Sequence, residues 1–446
     1  MANNTLTAIT NVLMKKEEYI GSQIVLPAKQ KLMTLINRIK MEKKSGQDLK
    51  KYVKVKIRPS GGWALTTEGG DYPGAQAQSS IEGYFAPVLV THTYGITTHS
   101  LAAFENQPAR RVGEQLGEDI DQFIEMIQHR KKMMFTGRKG MVLARATAAG
   151  TSSTFTSTTD VPVRAVVGDY VVAFKDASGT GDERGFATSD TGTSYLGTTA
   201  LYVGDVDYDA RTIALTNSGG TAATGKWTAA AVLTEYGHNS TNMTGPTGLE
   251  DMLDTVNDTG FKWDADDSAT YDHNDTIYNL ARASYTQLNC GTLSQTGYLT
   301  LDKLQRAVAK CVAKGASVGD LSFVSAPKQF EYLTQTNFSR VGEWRRMVMG
   351  GQEEEVFCVT GLGQGTIPWV CDYGVKNGVV LVIDRSKLVG VELPGGWDKT
   401  GTDIWHQQTA ASGAGYAAAK LAYWNFWVNW GLVFPNTSLV MYGLTQ

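Results

Sequence analysis

Histidines, cysteines and clustered carboxylates are the side chains that transfer protons, attack carbonyls or ligate metals, and their spacing in this chain arranges none of that chemistry. The six histidines, His92, His99, His129, His238, His273 and His406, are scattered, and no two sit at metal-ligand spacing on one helix face. The four cysteines, Cys290, Cys311, Cys358 and Cys371, lie 21, 47 and 13 positions apart and form no CxxC pair. Neither a zinc site nor a disulfide framework is expected, and a reducing compartment fits. Carboxylates crowd at Asp264, Asp266, Asp267, Asp272 and Asp275, but that loop lacks the central glycine and terminal glutamate of a calcium loop. The run Glu353, Glu354, Glu355 reads as a solvated face or as a contact to a basic neighbour. Gly361 to Gly365 (GLGQG) has no helical pattern after it on which a phosphate could sit, and the chain holds no HExxH, no Walker A sequence and no GxGxxG opening a helix after a strand. The expectation is no enzyme, no cofactor and no metal.

The 446 residues leave room for several domains, and 41 basic against 44 acidic residues exclude a nucleic-acid binder of the basic-patch kind. That balance hides an asymmetry. Residues 1 to 60 hold 13 Lys or Arg and 4 Asp or Glu, which leaves 28 and 40 for the rest, so a basic arm precedes an acidic body. Such an arm suits the body of another subunit. The N-terminus MANNTLTAIT has no basic start or apolar run, and Ala417 to Phe434 is interrupted by Lys420, Asn425 and Asn429, so neither a signal peptide nor a membrane span is expected.

Val88 to Thr98 is β-branched and aromatic, and after Ser100 the period changes. Val112, Leu116, Ile120, Phe123, Ile124, Ile127 and Met134 form one helical stripe, with Pro108 suited to the first turn and Gly137 to a left-handed position after the last. A helix of about 29 residues spans about 43 Å, longer than a small domain is wide. It reads as a strut that packs its stripe on its own body and offers its charges to neighbours. Upstream, Leu32, Leu35, Ile36 and Ile39 make a narrow helical stripe, and Val53, Val55 and Ile57 alternate with Lys54, Lys56 and Arg58 as a half-buried strand. Pro59 to Pro87 is rich in glycine yet keeps Trp63, Tyr72, Tyr84 and Phe85, which reads as a projecting two-stranded loop that buries its aromatics elsewhere. Short β runs between Gly137 and Gly248 predict a small acidic all-β module. Beyond Gly248 the pattern predicts a helix over Leu301 to Val312 closed by Gly315. It also predicts strands at Leu321 to Val324, Val356 to Val359, Ile367 to Cys371, Val379 to Ile383, Leu388 to Leu393 and Tyr423 to Val433.

In this order, Tyr94 to Gly137 (YGITTHSLAAFENQPARRVGEQLGEDIDQFIEMIQHRKKMMFTG) and Leu299 to Leu333 (LTLDKLQRAVAKCVAKGASVGDLSFVSAPKQFEYL) resemble the strand-then-spine-helix and helix-then-strand passages of the major capsid proteins of tailed bacteriophages, the fold named after the Hong Kong ninety-seven phage. The resemblance implies an α+β capsid fold with an N-terminal arm at 1–58, an extended two-stranded loop at 59–93, and a strand and spine helix at 94–143. An inserted β-rich module would occupy 144–245, and the rest of the peripheral domain and the axial domain 246–446. It implies a homo-oligomer of hexamers and pentamers that closes an icosahedral shell around packaged double-stranded DNA, touched non-specifically. The partners would be a separate scaffolding protein, a portal and a decoration protein, with an uncleaved N-terminus, assembly in the bacterial host cytoplasm, no membrane, and a place in the virion. The inter-subunit contacts expected are Trp63, Tyr72, Tyr84 and Phe85 of the loop, Lys54, Lys56 and Arg58 of the strand before it, and Arg110, Arg111, Glu114 and Glu118 of the helix. An encapsulin-like shell around protein cargo and a β-rich receptor- or glycan-binding virion protein are the alternatives. Some members of the family lock their shells by joining a loop lysine to a neighbour's asparagine, and no lysine occurs here from Ile57 to Arg130. Particles boiled in SDS under reducing conditions should therefore run as monomer, and a high-mass ladder would refute a non-covalent shell.

Overall fold

The computed structural model describes residues 40–43, 49–58, 79–97, 127, 130–137, 142–158, 161–165, 168–175, 201–217, 220–227, 229, 231–235, 245–255, 261, 263, 276–349, 352–360, 365–399, 406–409 and 416–445. In chain order the first strands are β1 (Lys40–Lys43), β2 (Lys51–Arg58), β3 (Ser79–Phe85) and β4 (Val88–Thr97), followed by a helix described over residues 130–136. Then come β5 (Val142–Arg145), β6 (Gly150–Ser152), β7 (Thr154–Thr156), β8 (Gly168–Lys175), β9 (Leu201–Asp207), β10 (Thr212–Thr216), β11 (Gly225–Trp227) and β12 (Val232–Glu235). The remainder holds β13 (Thr276–Ile277), β14 (Leu280–Ala281), β15 (Gly291–Gly297), β16 (Leu321–Ser325), β17 (Gly342–Met349), β18 (Gln352–Val359), β19 (Ile367–Cys371), β20 (Val380–Asp384), β21 (Leu388–Trp397), β22 (His406–Thr409), β23 (Tyr416–Leu432) and β24 (Leu439–Leu444), with helices Leu301–Ala313 and Pro327–Val341.

A mixed seven-stranded sheet, β15-β24-β20-β16-β19-β18-β17, is the middle layer. Its strands read as near-continuous apolar runs because both faces are buried. Phe323, Trp369, Val380, Val382 and Met441 face a core filled by Leu304, Val308 and Cys311 of helix Leu301–Ala313 and by Leu333 of the next helix. Val324, Val370, Leu381, Ile383 and Val440 face a second core. The opposite wall of that second core is the sheet β1-β21-β23-β22, with β4 also paired to β23. Here Trp424, Phe426, Val428 and Trp430 alternate inward, as the period-two pattern of β23 predicts, and Trp397 meets Trp424 edge-on at 5.2 Å. The helix Leu301–Ala313 ends as expected, with Gly315 at φ +98°.

The helix over 130–136 ends inside the molecule. Ile127, Met134 and Phe135 enter the second core, where Phe135 meets Trp430 at 5.4 Å, while Met133 joins the separate core of the β segment. That segment, 142–235, builds a six-stranded antiparallel sheet, β5-β12-β8-β9-β10-β7, around Phe155, Leu201, Ile213, Leu233 and Trp227. Three expectations are corrected here. Two charges near the helix end are paired within the chain, where contacts to neighbours were expected: Lys131 with Glu392 at 3.6 Å and Lys132 with Asp372 at 3.5 Å. Gly137 does not adopt a left-handed φ. A Cβ there would lie 3.2 Å from the Met133 carbonyl oxygen, a tight approach, and 3.5 Å from Arg164 Cδ, an ordinary contact. Residues 40–43, expected in an arm that leaves the body, pair in parallel with β21 of the same chain, Lys40 opposite Val389 through Lys43 opposite Glu392. The rest of the spine-helix stripe, the helical stripe at 32–39 and the aspartates at 264–275 lie outside the described residues.

A buried ion pair fastens the β segment to the body. Arg164 bonds to Glu250, both side chains being under 10% exposed, and its Nε donates to the Gly374 carbonyl at 3.2 Å. Removing one member strands the other charge in a dry interior, at a cost of about 3–5 kcal/mol. Glu250→Ala should therefore lower denaturation stability by about that much, and Arg164→Met/Glu250→Leu together should recover most of it. An unchanged denaturation midpoint for Glu250→Ala would remove the pair from the account.

Candidate assembly surfaces

Strands β2 and β3 form an antiparallel hairpin, Lys51 opposite Phe85 through Lys56 opposite Ser80, that carries residues 59–78 at its far end. Its base is pinned to the body from one side. Val53 (1% exposed), Val55 (0%) and Phe85 (6%) pack on Ile277, Tyr278, Leu280, Leu288 and Val391. The seat is the tight turn between β13 and β14, where Tyr278 and Asn279 both take left-handed φ, 56° and 61°, as a two-residue hairpin turn of this hand requires. A tyrosine in that region is uncommon. It is held by its ring against Phe85 at 5.4 Å and by its hydroxyl, which donates to the Leu432 carbonyl at 2.8 Å, and complete burial raises its pKa. The Tyr84 N–H donates to the Tyr278 carbonyl at 3.1 Å. That approach is possible because residue 83 is glycine: a Cβ there would stand 2.7 Å from the same carbonyl oxygen.

Phe85, expected as an inter-subunit contact, is packed within its own chain, because the β13–β14 turn lies against the hairpin base. Tyr84 is half-buried, with Tyr52 6.2 Å from it and Lys50 Nζ 4.1 Å above its ring. Lys54 is exposed, as its place in the alternation predicts, and Lys56 and Arg58 belong to β2. Trp63, Tyr72, Arg110, Arg111, Glu114 and Glu118 lie outside the described residues. The pairing also places Val88 onward in the body sheet, with Val88 opposite Val428, inside the range 59–93 expected for the loop.

Beneath β4, burial and then the charge of Arg130 push His92 down to about 3, so it is neutral packing. Burial lowers Lys131 as well, against the pull of Glu392. Three of the four free cysteines are held as thiols: burial pushes Cys311 and Cys371 up to about 12 and raises Cys290 further. Gly315-Ala-Ser317-Val-Gly319 spells the G-x-S-x-G pattern, but it leaves a helix and leads into β16, the reverse of the strand-to-helix elbow that exposes a nucleophilic serine. Among the described residues, no group of three or more His, Cys, Asp or Glu could hold a metal ion. No helix among them is long and apolar enough to cross a membrane.

No family model and no curated protein matches the chain. Solved structures do. A chain of the cyanophage A-1(L) capsid asymmetric unit superposes with a TM-score of 0.50 at 9% identity, over 94% of this chain and 95% of that one. The fold is the tailed-phage capsid fold. Lower similarity is found to the capsid of cyanophage P-SCSP1u (TM-score 0.40, 8% identity, 94% and 90% covered) and to the SrpI encapsulin of Synechococcus elongatus (0.39, 10%, 95% and 95%).

Within this fold the hairpin seat generates a direct test. Gly83→Ala forces a methyl group against the Tyr278 carbonyl oxygen and the Leu280 side chain, and overpacking of that kind costs about 1–3 kcal/mol. The variant should show faster proteolysis at the hairpin than at helix Leu301–Ala313. Equal cleavage of wild type and variant would mean that the turn does not hold the hairpin.

Proposed function

We propose that this chain is the major capsid protein of a tailed bacteriophage, its copies gathering into hexamers and pentamers that close an icosahedral shell around packaged double-stranded DNA. The observation that carries the reading is the superposition with a capsid chain across nearly the full length of both molecules. Elementary physics supports it. Among the described residues the chain covers this hairpin only at its base, and a symmetric lattice of copies supplies many further contacts at once. In this reading residues 1–39 and the hairpin tip with Trp63 and Tyr72 meet neighbouring subunits, as do Arg110, Arg111, Glu114 and Glu118. The β segment 142–235 is an addition to the common fold.

The acidic body suits a container for DNA. Phosphate binding is built from Lys and Arg contacts, and a body in which carboxylates outnumber them, 40 to 28, holds the polymer weakly as it enters or leaves. A separate scaffolding protein, a portal and a decoration protein belong to the same reading, as does assembly in the host cytoplasm and residence in the virion. Particles isolated from cells and treated with nuclease should retain full-length double-stranded DNA. Particles holding only protein cargo would transfer the reading to an encapsulin-like compartment.

A further inference from the structure

Tyrosine rings meet in pairs at the surface of the molecule. Tyr52 and Tyr84 stand 6.2 Å apart on paired strands of one hairpin, and Tyr298, 60% exposed, meets Tyr332 of helix Pro327–Val341 at 5.2 Å. Tyr208 and Tyr373 make a pair of another kind. Tyr208 follows β9 in the β segment and Tyr373 follows β19 in the body, and their ring centroids are 5.4 Å apart. This contact therefore bridges the same two units that the buried pair Arg164–Glu250 fastens from inside.

Both rings are presented in the same way. Asp207 Oδ1 accepts from the N–H groups of Asp209 at 3.0 Å and Ala210 at 2.8 Å, and Asp372 Oδ1 accepts from the Gly374 N–H at 2.9 Å. Each aspartate thus closes a turn around the tyrosine that follows it, a local bond that suits aspartate. Tyr208 is pinned further by its hydroxyl, which donates to the Ala165 carbonyl at 3.1 Å, and Asp372 is held by Lys132. Pinned turns keep the rings together without covering them: Tyr208 is 39% exposed and Tyr373 48%. Their planes are inclined by 32°, against 55° and 67° in the other two pairs. That angle matters for radical chemistry. The unpaired electron of a tyrosyl radical lies above and below its ring, so nearly parallel rings aim their reactive orbitals at each other, whereas steeply inclined rings place a C–H edge between them. Two groups held face to face react without having to find one another.

We propose that Tyr208 and Tyr373 are an oxidative cross-linking site, joined by a peroxide acting as a one-electron oxidant through a haem, and that the resulting dityrosine staples the β segment to the body. Each ring gives one electron to the oxidant and its hydroxyl proton to water. The two radicals form one carbon–carbon bond between ring positions next to the hydroxyls, and the two ring protons at that bond move to the oxygens and restore both phenols. The chain loses two hydrogens while one hydrogen peroxide becomes two waters. The link lies within one chain, so it stands apart from the shell reading and leaves the boiled chain at monomer mass.

Full-length protein treated briefly with hydrogen peroxide and a haem peroxidase, then digested, should give by mass spectrometry the peptides bearing Tyr208 and Tyr373 joined with the loss of two hydrogens. Tyr208→Phe and Tyr373→Phe keep the rings, and each should lose that product. A cross-link restricts the unfolded chain, so treated Glu250→Ala should melt at a higher temperature than equally treated Tyr208→Phe/Glu250→Ala. The same comparison of wild type with Tyr208→Phe serves if Glu250→Ala does not fold. The absence of any joined peptide would overturn the site. So would a Tyr52–Tyr84 or Tyr298–Tyr332 product with Tyr208 and Tyr373 unlinked, or a link found only between chains. A linked chain that melts no higher than its Phe control would overturn the staple.

Discussion

The last turn of one helix is held between two cores, and most of the molecule depends on that wedge. Met134 and Phe135 enter the core between the two large sheets, and Met133, one residue earlier, enters the core of the β segment. Consecutive residues on a helix point about 100° apart, so three in a row satisfy two separate cores only if protein surrounds the helix. The neighbouring charges obey the same constraint. Lys131 and Lys132 are drawn to Glu392 and Asp372, and Arg164 to Glu250, because the carboxylates are buried and need a partner in place of water. The helix end therefore fixes the aromatic sheet, the middle sheet and the β segment relative to one another.

What this rigid body leaves over is as informative as what it encloses. The hairpin β2–β3 and the ribbon β17–β18 are each seated through one buried base, Phe85 on Tyr278 and Phe357 on Phe330, and each continues away from its seat. Strand β1 is held at a sheet edge by a four-residue parallel pairing and one described ion pair, Lys51 to Glu42 at 2.5 Å. A two-stranded element seated only through its base is marginal by itself in water.

Where local period decides structure, the sequence was readable. The alternation that buries Val53 and Val55 and exposes Lys54, the inward row Trp424, Phe426, Val428 and Trp430, and the helix closed by Gly315 all follow from spacing alone. The seven-stranded sheet could be anticipated in its near-continuous apolar strands, though its order could not. Long-range pairings were hidden. The parallel strand β1 reads as part of a lysine-rich arm, since its backbone partner lies some 350 positions away. Phe85 reads as a free loop aromatic because the left-handed turn that receives it, Tyr278-Asn279, lacks the glycine that marks such turns. Helix Pro327–Val341 had a signal in Pro327 at its first turn, and the ribbon had one in the Gly350-Gly351 pair between two extended runs. The β segment is legible as β-rich from its composition, whereas its fastening through Arg164 and Glu250, 86 positions apart, is not.

The account stands or falls on whether copies of this chain close a shell. Electron microscopy of purified particles, carried to a three-dimensional reconstruction, measures this directly. The account predicts angular shells of icosahedral symmetry, with this fold fitting the density of every subunit and the hairpin β2–β3 reaching a neighbour. A monomer or a small trimer as the largest species in the same preparation, or a closed particle whose subunit density rejects this fold, would contradict it.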